Sequence, residues 1–165
     1  MNDLSILHER VREAVAAAGI TSFEVLPCAP ELADTAEFCA HYGIPPDEAC
    51  NAILVALKTT PRRYVACLVR ADTKLDVNRK VSALTGVKRL SFASSEETAE
   101  LTGMLIGGVT IPGLPEDIDI YIDERVMERP QIIIGGGNRS SKIRLAPAEL
   151  LKLPRASVAN VAVPR

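Results

Sequence analysis

The chain has 165 residues, 47% of them hydrophobic and 24% charged, which is enough apolar material for one compact core and cramped for two. No run of eighteen apolar residues occurs, and the N-terminus opens on a charged amphipathic segment instead of a basic region followed by an apolar one, so a cytoplasmic protein with no membrane association is expected. Cys28, Cys39, Cys50 and Cys67 show no C-x-x-C spacing, and His8 and His41 are the only histidines; a zinc site, a thioredoxin-type motif and a Ser-His-Asp triad all lack material, and the thiols read as buried and reduced.

Taken in order, Asp3 reads as the cap of a first helix with Leu4, Leu7, Val11, Val15 and Ala18 on one face and Gly19 as its stop. Phe23 to Pro27 reads as a strand, and Asp34 or Thr35 as the cap of a second helix running to Gly43. Asn51 to Lys58, NAILVALK, is almost continuously apolar, the pattern of a strand covered on both faces, and Arg63 to Arg70 returns as its hairpin partner at the centre of a sheet. Asp76 is placed to cap a helix whose inner face is Val77, Val81 and Leu84, closed by Gly86. Lys88 to Phe92 reads as a strand, and Ser94 with Glu97 has the spacing of a capping box for a helix ending near Leu101. Three more strands are expected at Asp119–Asp123, half-exposed with its acids outward, at Gln131–Ile134 and at Lys142–Leu145; Pro147 opens a last helix carrying Leu150, Leu151 and Leu153. The mixture predicts an α/β fold over residues 1–165, a single domain built on a mixed sheet flanked by helices.

The stretch with the most conformational information is Leu101–Pro115, LTGMLIGGVTIPGLP, in which Gly103, Gly107, Gly108, Pro112 and Gly113 punctuate a short apolar run. Such a segment is either a plain turn or a cradle that presents backbone N–H groups to a carboxyl or phosphate oxygen. A second segment, QIIIGGGN, delivers a strand into Gly135, Gly136 and Gly137, and two such places in one small domain suggest one pocket. GGGNRS does not complete G-x-G-x-x-G, and no G-x-x-x-x-G-K-[ST] is present, so dinucleotide and P-loop chemistry are disfavoured. Glu116, Asp117, Asp119, Asp123 and Glu124 read as decoration of a turn and a strand face in preference to a cation site.

The net charge of −2 conceals an uneven distribution: −7 over residues 1–57, +7 over 58–89 and −2 over the remainder. Lys58, Arg62, Arg63, Arg70, Lys74, Arg79, Lys80, Lys88 and Arg89 read either as a patch for a phosphate backbone or as ordinary solvated surface.

The succession DTAEFCAHYG, NAILVAL, TKLDVNRKVSALTG, ELTGMLIGGVTIPG and IIIGGGN followed by PAELLKL resembles the YbaK/ProX-like aminoacyl-tRNA editing domains, which also occur as insertions in some prolyl-tRNA synthetases. The resemblance runs from about Asp34 to Leu153. It implies a barrel-like mixed sheet flanked by helices and a trans-acting deacylase that hydrolyses the ester of tRNA mischarged with a small amino acid. It further implies tRNA as partner, a synthetase as a second one, no metal and no cofactor. It assigns catalytic positions to Asn51, Gly107 and Gly108 and substrate contacts to Ile111, Pro112, Gly135, Gly136, Gly137 and Asn138; within the basic cluster, Lys58, Arg62, Arg63 and Lys80 are the candidate tRNA-backbone contacts.

This sequence departs from the family pattern at three points. Asn51 stands where relatives usually carry a lysine; Ile111 falls at the proline of the family's G-x-x-x-P loop when the paired glycines are aligned, although Gly108 to Pro112 keeps the count; and Lys142 lies near an acidic position of some relatives. Lys142 reads on its own as a solvated strand residue. Asn51 keeps a second reading open, a catalytically altered binding module of the same fold that recognises aminoacyl-tRNA, an amino acid or a synthetase.

Overall fold

The computed structural model describes residues 2–165. Its strands are β1 (Phe23–Pro27), β2 (Cys50–Leu57), β3 (Arg63–Arg70), β4 (Thr73–Leu75), β5 (Leu90–Phe92), β6 (Asp119–Asp123), β7 (Ile132–Gly135), β8 (Ser141–Leu145), β9 (Ala156–Ala159) and β10 (Ala162–Pro164). The α-helices are α1 (Glu9–Ala17), α2 (Thr35–Tyr42), α3 (Ser82–Thr85) and α4 (Ser95–Thr102).

A five-stranded mixed sheet has the order β5-β2-β3-β6-β9, a three-stranded antiparallel sheet the order β1-β8-β7, and β10 pairs with β4. The strands do not close into a continuous barrel; a parallel bridge between Ala49 and Ile133 brings the three-stranded sheet against the start of β2. The mixed α/β architecture follows from the apolar pattern. Along β2 and β3 successive side chains enter opposite layers: Leu54, Ala66 and Leu68 join the main core, whereas Val55, Leu57, Val65, Cys67 and Val69 join a second core with Leu75 of β4 and with Val77 and Val81. A smaller cluster of Cys28, Ala33, Phe38 and Ile133 seats α2 on the three-stranded sheet.

Four expectations are corrected. The first helix is broken: Asp3 caps a 3-10 turn at Leu4–Ile6, Leu7 is extended, and α1 restarts with His8 as its cap because the His8 N–H donates to Gly136 O at 3.0 Å. The helix after Asp76 begins as a π turn, with the Val81 N–H reaching Asp76 O, and the wider turn rotates Leu84 to the surface while Val77 and Val81 stay buried. Asp123, expected on the exposed face of its strand, is fully buried, its Oδ1 accepting from the Val161 and Ala162 N–H groups at 3.0 Å each. The segment after Pro147 is a 3-10 helix over Pro147–Lys152, with Leu150 and Leu153 buried and Leu151 exposed.

Candidate functional site

The N-terminal end of α2, the start of β2, the glycine loop after α4, and the facing ends of β7 and β8 enclose a cleft of about 360 Å³. Its walls carry Asp34, Thr35, Cys50, Asn51, Ala52, Ile53, Ile106, Gly107, Val109, Gly135 and Lys142. Two features of the chain put these residues together. The capping box of Ser94 and Glu97 starts α4, and Gly103 ends it in the left-handed region, which releases the chain into the loop. Across the cleft, the apolar run of β7 carries Gly135 into the same space.

The two glycine segments touch directly, as expected of one pocket. The Gly137 N–H donates to Gly108 O at 2.7 Å; a Cβ on Gly135 would stand 2.7 Å from both Gly108 O and Val109 O, and one on Gly108 would stand 2.2 Å from Asn138 O. Backbone is packed on backbone with no room for a side chain, which is why glycine occupies both sides. The Gly107 and Val109 N–H groups have no protein acceptor among the described residues.

Asn51 lies on the cleft wall, where its Oδ1 accepts a hydrogen bond from the Thr35 hydroxyl. Thr35 was legible as a helix start but not as a cleft residue, since its partner is sixteen positions away in sequence. Gly107 and Gly135 line the cleft, and Gly108 supports it from behind. The other expected substrate contacts lie elsewhere. Ile111 and Pro112 are buried, Ile111 in the main core and on the wall of a separate groove of about 390 Å³ beneath α1. Gly136 accepts from His8 and donates to Ser141 O, Gly137 packs on His8 and Val11, and Asn138 donates from Nδ2 to Ile6 O at 2.8 Å. Beyond Gly135 the chain turns away from the cleft toward α1, and these three residues hold the N-terminal segment.

Lys142 contradicts its reading as a solvated residue. It is only 6% exposed, and its ammonium donates to Ala33 O at 2.7 Å and to Gly107 O at 2.8 Å with the Phe38 ring centroid 5.2 Å away. Burial holds its pKa below the usual lysine value, and the nearby Arg139 charge acts in the same direction. Register explains its position: Lys142 is paired with Gly135, which has no side chain to fill the space beside it. Cys50, also on the wall, has its thiol pushed up to about 12 by burial and is a neutral, inert surface. Among the described residues no three His, Cys, Asp or Glu side chains converge as metal ligands.

Six of the nine cations of the basic segment fall into three groups. Arg62 is ion-paired with Glu97 at 2.8 Å, and Lys80 donates to Asn160 Oδ1 and Ala162 O, so neither presents a free head group. Lys58 and Arg63 sit at the hairpin end, about 23 Å along the strand from Asn51 at the rise of a β-strand. Lys74, Asn78 and Arg79 are exposed and, with Phe92 and Arg165, line a groove of about 570 Å³ that shares Asn51 and Ile53 with the cleft. Phe92 is 57% exposed, an aromatic face beside cations.

The profile of the aminoacyl-tRNA editing domain family matches residues 29–153. A protein of Enterococcus faecalis, provisionally named as the Cys-tRNA(Pro)/Cys-tRNA(Cys) deacylase EbsC, is 26% identical over 109 residues, covering 66% of this chain and 64% of that protein. A proline–tRNA ligase of Bacillus licheniformis is 33% identical over 94 residues, covering 57% of this chain and 16% of the ligase. The chain thus spans less than two thirds of the length of these curated relatives. A crystal structure provisionally named as a trans-editing enzyme for prolyl-tRNA synthetase superposes with a TM-score of 0.81 at 27% identity, over 93% of this chain and 95% of that one. The structure of the hypothetical protein APE2540 gives 0.83 at 28% identity, over 94% and 100%. No helix among the described residues is long and apolar enough to cross a membrane.

Proposed function

The chain belongs to the aminoacyl-tRNA editing domain family, and from that premise we propose that it is a trans-acting deacylase, removing a wrongly attached small amino acid from tRNA as a single domain over residues 1–165. The observation that carries the reading is the cleft itself: glycine backbone, the Thr35–Asn51 pair and the Lys142 ammonium surround a space at the small end of the usual range for ligand sites, about 300–1,000 Å³. An aminoacyl ester is already activated, so holding its carbonyl against preorganised donors as negative charge develops supplies much of the catalysis, and a small space rejects larger amino acids.

In this reading water adds to the acyl carbon while the Gly107 and Val109 N–H groups stabilise the oxyanion. The bond from the acyl carbon to the ribose oxygen then breaks. The water proton passes to that oxygen, directly or through the neighbouring ribose hydroxyl, leaving a free amino acid and an intact tRNA end. Asn51, held by Thr35, contacts the terminal ribose. The acceptor strand lies in the neighbouring groove, with Lys74, Arg79 and Arg165 against phosphates and Phe92 stacked on a base. In this reading the tRNA contacts lie beside the cleft, with Lys58 and Arg63 too far along the strand to share them.

One observation favours a second reading, a binding module without turnover: an uncharged residue occupies position 51, and its acceptor oxygen is engaged by Thr35. Deacylation of tRNAs charged with alanine, serine, cysteine and larger amino acids, by wild type and Asn51→Lys in parallel, separates the two. Hydrolysis of a small aminoacyl-tRNA by wild type supports the deacylase. Tight binding without hydrolysis, with affinity lost in Asn51→Lys, establishes the binding module.

A further inference from the structure

Two cations from the segment after β7 make matching sets of bonds. Lys142 donates to Gly107 O at 2.8 Å and to Ala33 O at 2.7 Å. Arg139 donates to Ile106 O at 2.7 Å and to Pro30 O at 3.0 Å, and its guanidinium is ion-paired with Asp34 at 3.0 Å. Each cation therefore ties one carbonyl of the glycine loop to one carbonyl of the segment leading into α2. The loop's other ties lie at its base, in the buried Met104 and Ile111 side chains and the Gly137 N–H bond to Gly108 O; at its tip Leu105 and Ile106 are 61% and 55% exposed, and the internal backbone bond is a turn from the Gly108 N–H to Leu105 O. A Cβ on Gly107 would stand 2.1 Å from the Arg139 guanidinium, so the loop is pressed onto this cation.

We propose that Lys142 and Arg139 are positioning residues, a double cationic staple that holds the glycine loop against the start of α2 and fixes the donors facing the cleft. Four backbone carbonyls converge on two positive charges, and charged hydrogen bonds of this kind are the strong ones. A loop bearing exposed apolar residues and held by long-range polar bonds loses its place when they are removed. Lys142 is the inner member, buried and on the cleft wall; Arg139 is the outer one, bonded from behind to Asp34 and Ile106 of that wall. The role concerns the loop in the free protein, while its catalytic consequence rests on the deacylase reading.

Amide hydrogen exchange on the full chain tests the staple without reference to activity. In Lys142→Met and in Arg139→Gln, exchange at the Gly108 and Gly137 amides is expected to accelerate about tenfold or more, the loss of one charged hydrogen bond. Arg139→Lys, which keeps the charge opposite Asp34 but loses the fork, is expected to recover part of the protection. Arg144→Gln, which removes an ion pair with Glu24 one pleat further along β8 on the same face as Lys142, is the control and leaves both amides unchanged. Because Arg139 is partly exposed, its variant remains informative if Lys142→Met fails to fold. Unchanged exchange in Arg139→Gln, or equal acceleration in Arg144→Gln, overturns the proposal. On a hydrolysed aminoacyl-tRNA, Arg139→Gln should lower kcat about tenfold with KM within about twofold. Loop loosening with wild-type kcat would refute the catalytic consequence, and absence of turnover in the wild type would refute the deacylase reading while leaving the staple standing.

Discussion

Replacing Gly108 by alanine puts a methyl group where the structure has backbone. The added Cβ would lie 2.2 Å from Asn138 O, 2.4 Å from its carbonyl carbon and 2.7 Å from its Cα. These atoms belong to the main chain and cannot rotate away, so the loop and the segment after β7 must separate by more than 1 Å to reach ordinary contact, about 3.4 Å or beyond. Overpacking of this kind costs about 1–3 kcal/mol. The same separation breaks the 2.7 Å bond from the Gly137 N–H to Gly108 O, a further loss of about 1 kcal/mol. Gly108→Ala should therefore destabilise the fold by about 2–4 kcal/mol in urea denaturation, read as a lower midpoint at unchanged slope. Gly43→Ala is the comparison, because no atom lies within 4 Å of its Cβ position and only its left-handed backbone, φ +68°, opposes the substitution; it should cost about 1–2 kcal/mol. A loss at Gly108 below about 0.5 kcal/mol, or one no larger than that at Gly43, would refute the claim that the two glycine segments are packed backbone to backbone.

Three further outcomes follow from buried or bonded groups. Asp123→Ala strips the Val161 and Ala162 N–H groups of their shared acceptor and should cost about 3 kcal/mol in urea denaturation, with β10 the first strand to lose amide protection. Glu97 is held down to about 2 by the Ser94 backbone N–H, the Tyr64 hydroxyl and Arg62, so its contribution to stability is complete above about 4.5 and is lost as the pH falls toward 2; Glu97→Gln should flatten that part of a stability–pH curve. Cys50 and Cys67, with thiols pushed up to about 12 by burial, should resist iodoacetamide at pH 8 in the native protein and react on unfolding, as followed by mass spectrometry.

The elements that were legible in the sequence are those whose signals are local. The hairpin of β2 and β3 announces itself through two unbroken apolar runs, α4 through its Ser94–Glu97 box, and α2 through Asp34–Thr35 and Gly43. What was missed depends on distant partners. β4, β9 and β10 are only three or four residues long, too short to show a period; they exist because Ala162 meets Leu75 and Ala156 meets Ile120 across the fold. Lys142 looks like any strand lysine until the register places it opposite Gly135 and below Ala33. Asp123 alternates correctly with its apolar neighbours, yet it caps a tail nearly forty residues later. The site was legible to the extent that glycine marks close backbone approach: Gly107 and Gly135 reach the cleft, whereas Gly136 and Gly137 spend the same freedom on the packing of α1.

The most direct test of the central claim, that the aminoacyl end of tRNA enters the cleft between α2 and the glycine loop, is an NMR titration with a non-hydrolysable amide analogue of alanyl-adenosine. The account predicts saturable shifts at the amides of Thr35, Asn51, Gly107, Val109 and Gly135, with those of Lys58 and Arg63 unmoved. Saturable binding that shifts other residues and leaves these five unperturbed would contradict it.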